Sequence, residues 1–126
     1  MNTMAVMARA ARALPIDTDS RPVDRTVVLS RALHRAVEPF ILQDWERACE
    51  VMIKNIAMQR ARARSAYVNS WIDTWESALN AGAEAVIVLS RTPGERGDDL
   101  RQMTPLAGIL PFEIQQRIAR ELPRVP

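Results

Sequence analysis

Between Phe40 and Ala81 the chain has neither glycine nor proline, although it carries four glycines and eight prolines elsewhere. The residues that usually end helices are therefore missing from a third of a 126-residue sequence, and the stretch reads as helical throughout. Cysteine is almost missing as well. With Cys49 alone, neither an intramolecular disulfide nor a cysteine-based metal cluster can form. No apolar run reaches the about 18 residues of a membrane-spanning helix, and Met1 to Leu14 lacks the charged-then-apolar order of a secretory signal. A cytoplasmic protein is the expectation. Aromatic residues make up only 5%, but Trp45, Trp71 and Trp75 all lie in the uninterrupted stretch. That pattern predicts a core anchored by tryptophan and otherwise aliphatic. Lys54 is the only lysine and His34 the only histidine, and the net charge of +2 is too small to mark a partner by itself.

What is present suits one folded domain: 48% hydrophobic and 25% charged residues, in a chain long enough for a single core. Residues 1–22 read as a separate N-terminal segment. Met1 to Leu14 is rich in Ala and Met and would fray as an isolated helix, and Pro15 to Pro22 has the turn chemistry of a linker. Residues 23–126 are the expected domain. Asp24 is placed to cap a helix reaching about Glu38, with Leu29, Leu33, Ala36, Val37 and Phe40 as its apolar stripe. Pro39 then marks a kink or a fresh start.

In the long stretch, Ile41, Trp45, Ala48, Cys49, Met52 and Ile56 share one face. Val68, Trp71, Ile72, Trp75, Ala78 and Leu79 share another, rotated by roughly 120° at about 100° per residue. Gln59 to Ser65 between them is nearly all polar. Either the helix bends or breaks there, or one straight helix faces its own domain on one side and a partner on the other. The fold class expected is all-α, a small helical domain built around one long or bent helix at about 40–81, with short C-terminal helices. Gly82 is placed as a C-cap, and Ala83 to Leu89 reads as a buried helix of two turns. Thr92 to Gly97 reads as a turn, with Asp98 capping a short helix that Thr104-Pro105 ends. The apolar loop Leu106 to Leu110, together with Phe112, is expected to pack on the long helices. Pro111 opens a last helix carrying Ile114, Ile118 and Leu122.

Catalytic chemistry finds little support. His34 falls opposite the Leu29 and Leu33 stripe, beside Arg31 and Arg35, and reads as a surface residue. Cys49 lies on its helix's apolar stripe and reads as a small core residue. Asp73 and Glu76 stand about one turn apart, but the Glu-x-x-His element of carboxylate-bridged metal sites is missing, so neither metal nor cofactor is expected. No small-molecule substrate is indicated. The expected function is that of a non-enzymatic regulatory or adaptor protein acting through helical interfaces, homo-oligomeric or bound to another protein. Val68, Trp71, Ile72 and Trp75 are its partner-binding residues, and the two tryptophans are the anchors. The alternative is a small nucleic-acid-binding regulator. Lys54, Arg60, Arg62 and Arg64 lie in a segment, Val51 to Ile72, that holds no acid, and Arg117 and Arg120 on the last helix could add to them. Alternating arginines on one helix diverge, which counts against a single phosphate-contacting row. An antitoxin, a phage or chromosomal regulator and a structural adaptor would share this profile.

Overall fold

The computed structural model describes residues 24–123. The readings for the N-terminal segment and linker fall outside them. Six helices follow one another: α1 (Arg25–Gln43), α2 (Trp45–Arg62), α3 (Ala66–Ala81), α4 (Ala83–Ser90), α5 (Gly94–Gln102) and α6 (Phe112–Glu121). The described residues contain no strand, in keeping with an all-α fold.

A single helix over 40–81 is not what the chain forms. α1 starts where expected, with the Asp24 carboxylate accepting from Thr26 N at 2.9 Å. It then runs through Pro39 to Gln43 instead of stopping at Glu38. Pro39 removes the donor that would meet the Arg35 carbonyl, but both residues lie on the exposed side of α1, where water can serve that carbonyl. Burial of Val37 and Ile41 on the other side holds the helix together across the proline.

The first break comes at Asp44, whose non-helical backbone (φ −145°, ψ 75°) ends α1 while its carboxylate accepts from Arg47 N at 3.1 Å to start α2. The second lies at Ala63 to Ser65, inside the polar segment. Ser65 Oγ accepts from Val68 N at 3.1 Å and caps α3. A helix can thus end without glycine or proline when the next residue satisfies the amides of a new one.

α1 is the hub, packing on α2, α4, α5 and α6, while α3 bridges α2 and α4. The core unites Val37 and Ile41 of α1, Ala48 and Met52 of α2, Trp75 and Ala78 of α3, Val86 and Ile87 of α4, and Leu100 of α5. Gly82 ends α3 at φ +124°, a left-handed conformation that suits glycine, and Ala83–Ser90 is the short helix expected there. Two expectations nearby need correction. Gly94 to Gly97 is the first turn of α5, not a free turn, so Asp98 lies inside the helix and does not cap it. Leu106 and Ile109 are buried as expected, with Pro105 and Leu110 buried beside them, but Phe112 is 65% exposed, because α6 turns Ile114 and Ile118 inward in its place.

The buried loop keeps its backbone polar groups satisfied through α2. Asn55 Nδ2 donates to the carbonyls of Pro105 and Ala107, both at 2.8 Å, and Gln59 Nε2 donates to those of Met103 (3.2 Å) and Thr104 (3.0 Å). One helical turn separates these two amides, so they act together as a clamp on an otherwise irregular segment.

Candidate interaction surface

The four residues expected to bind a partner divide by depth. Ile72 and Trp75 are fully buried, and Trp75 Nε1 donates to the Leu100 carbonyl at 2.9 Å, so these two side chains hold the chain's own core. α3 faces inward here because it must cover α2 and α4 together. Val68 and Trp71 keep partial exposure. Trp71 carries a more elaborate environment than its spacing indicates. The Tyr67 ring meets it edge-on, with centroids 5.7 Å apart and planes at 87°, and the Arg96 guanidinium lies 5.3 Å above its ring centroid. Tyr67 itself is 65% exposed. One turn of α3 and the start of α5 thus present Tyr, Trp and Arg as a contiguous ridge. Tyr67 and Arg96 were not legible as partners of Trp71. The only signal for Tyr67 was its i, i+4 spacing to Trp71, and Arg96 comes from a distant helix.

The basic segment does not form one row. Arg60 turns toward α3, where it donates to Asn69 Oδ1 (3.1 Å), Asp73 Oδ1 (2.6 Å) and Glu76 Oε1 (2.9 Å). These three acceptors stand on successive turns of α3, so Asp73 and Glu76 serve as the receptor for an arginine, and their hydrogen bonds raise its pKa. Lys54, Arg62 and Arg64 are exposed, and Arg64 donates to the carbonyls of Ala61 and Ala63 in the α2–α3 connection. Arg117 and Arg120 lie on the exposed face of α6.

His34 is not the surface residue its helical phase suggests. It is 8% exposed, because it stands one turn before Val37 and two turns before Ile41 on the buried face of α1. Burial lowers its pKa, the hydrogen bond to the Ser30 carbonyl opposes that, and the positive charge of Arg101 adds to the lowering. The unfolded chain therefore takes up a proton near pH 6.5 that the folded domain refuses until lower pH. Stability from this group is complete above about pH 6.5 and is lost as pH falls through the folded value. Urea unfolding at about pH 7.5 and about pH 5.5 is expected to show lower stability at the acid pH, and His34→Gln is expected to flatten the difference. Cys49 is half-buried on α2 rather than in the core, and its thiol pKa is raised by burial and then by Glu46 and Glu50, which disfavours a thiolate.

A charge network centred on the buried Arg101 ties α1, α4 and α5 together. Arg31 grips Asp98 with two bonds of 2.9 and 2.7 Å, and Arg101 Nη2 donates to the same carboxylate at 2.8 Å. Arg101 Nη1 also donates to the carbonyls of Ser90 (2.8 Å) and Thr92 (2.9 Å), placing a cation at the C-terminal end of α4. For Asp98, burial favours the neutral acid, but the hydrogen bonds from both arginines outweigh it and the pKa is lowered. Among the described residues no helix is long and apolar enough to cross a membrane. No family model, curated protein or solved structure matches the chain.

Proposed function

We propose that this protein is a non-enzymatic adaptor or regulator that works through a helical protein–protein interface centred on Tyr67, Trp71 and Arg96, with Val68 at its side and a second copy of the chain as the first partner to test. The observation that carries this reading is the exposed tyrosine set edge-on against a tryptophan that an arginine covers. These three residue types are enriched at binding hot spots, and here they are preassembled, so little side-chain entropy remains to be lost on docking. The nucleic-acid alternative is supported less well, since Asp73 and Glu76 already neutralise Arg60 and only Arg62, Arg64 and Lys54 remain exposed in that segment.

The double variant Tyr67→Ser, Arg96→Ser tests the proposal. Both side chains are exposed, so stability is expected to change by no more than about 0.5 kcal/mol each. Sedimentation velocity over a concentration series should show self-association of the parent chain and its loss in the variant. A parent chain that stays monomeric throughout, or a variant that associates equally well, sinks the homo-oligomeric form of the reading. Salt-sensitive binding of mixed-sequence duplex DNA, abolished in Arg62→Gln, Arg64→Gln, would favour the alternative.

A further inference from the structure

The ridge at Tyr67 and Trp71 stands in positively charged surroundings. Arg62 and Arg64, both exposed, come just before the Ser65 cap of α3, and Arg96 lies over the Trp71 ring. The unpaired amides of the first turn of α3 add a partial positive charge at the same end. Glu95, next to Arg96, is the one exposed carboxylate adjoining these arginines in sequence. Among the described residues none of the three arginines enters an ion pair.

The start of α2 has the opposite character. Asp44, Glu46 and Glu50 are all exposed, against one cation, Arg47, and no other described stretch of that length holds more than one exposed acid. The remaining carboxylates with arginine partners, Glu38, Asp73, Glu76 and Asp98, are committed within the fold. Glu46 and Glu50 have no ion-pair partner among the described residues, and after burial their charge is what raises the Cys49 pKa. Glu46, Glu50 and Ile53 follow at i, i+4 and i+7, so they form one stripe. Ile53 is 58% exposed, and Leu42, two residues before Asp44, is 60% exposed. Carboxylates flanked by exposed aliphatic side chains match a ridge of tyrosine and tryptophan flanked by arginines, in charge and in apolar content.

We infer that the Tyr67–Trp71–Arg96 ridge of one copy receives the acidic start of α2 of the next copy, head to tail. This rests on the interface proposed above and names the surface of the second copy that fills it. The two surfaces lie at opposite ends of α2, about 27 Å apart at about 1.5 Å per residue, so each copy offers them to two different neighbours. A contact of this kind joins unlike surfaces and propagates beyond a dimer.

The test uses two variants of the full chain, each blocked on one side. Tyr67→Ser with Arg96→Ser removes the ridge, and Glu46→Gln with Glu50→Lys removes the acidic stripe while keeping a cation out of the first turn of α2. In sedimentation velocity the parent chain is expected to grow past a dimer as concentration rises, and about 0.3 M salt should weaken its association by about tenfold relative to about 0.05 M. Each variant alone should stay monomeric. Their equimolar mixture should form a dimer that grows no further, because one intact ridge meets one intact acidic stripe. A parent chain that remains monomeric would overturn this inference together with the homo-oligomeric reading on which it rests. An acidic-stripe variant that associates like the parent while the ridge variant does not would overturn the head-to-tail contact alone. So would a parent that stops at dimers, association indifferent to salt, or a mixture of the two variants that stays monomeric.

Discussion

Gly97→Ala is expected to destabilise the domain by about 3 kcal/mol or more, measured by urea unfolding against the parent chain. Gly97 lies in the first turn of α5, where helix propensity alone would favour alanine by about 1 kcal/mol. Packing reverses the sign. A Cβ at this position would overlap the carbonyl of Thr92 and approach Arg101 Nη2 to 3.0 Å. The Thr92 backbone has no freedom to retreat, since its N–H donates to the Leu89 carbonyl at 3.1 Å and its own carbonyl accepts from Arg101 at 2.9 Å. A stabilised Gly97→Ala variant would show that α5 does not pack against the 90–92 segment as described.

Asp98→Ala is expected to cost about 3–5 kcal/mol, because it leaves a buried cation without its counter-charge. The cation that matters is Arg101, whose side chain is 6% exposed. Arg31 is far more accessible, so Arg31→Ala should cost at most about 1 kcal/mol although it makes two bonds to the same carboxylate. The contrast between the two variants is the measurement. Equal effects would mean that Arg101 is hydrated when Asp98 is removed and that the network is superficial. Acid titration offers a second view of the same carboxylate. Its lowered pKa means that stability it provides is complete above about pH 4 and is lost as pH falls through the folded value.

Features written in local chemistry were legible in the sequence. The Asp24 cap, the Gly82 terminus, the short Ala83–Ser90 helix and the burial of Leu106 and Leu110 all follow from residue type and spacing. The break at Ser65 lies in the polar segment where the two stripes lose phase. The break at Asp44 escaped notice because Ile41, Trp45, Ala48 and Met52 keep helical spacing straight across it, so periodicity shows continuity where the backbone turns. His34 was misplaced for a different reason. Its spacing to Val37 and Ile41 (i+3 and i+7) marks the buried face of α1, and a stripe centred on Leu29 and Leu33 points away from that face. The ridge at Trp71, the Arg60 receptor and the Asp98 network join residues from separate helices, and pairings of that kind leave no local mark.

The Asn55 and Gln59 clamp also bears on the order in which the domain assembles. Contacts among α2, α3 and α4 join neighbours in sequence, whereas each clamp bond spans 44 to 52 residues. Closing so long a loop carries an entropic cost that local hairpins avoid, and it is recovered only once α2 exists to receive the loop. The segment from Met103 to Leu110 therefore docks late in folding and detaches early in unfolding, and its amides should exchange with solvent deuterium sooner than those of α2 and α3.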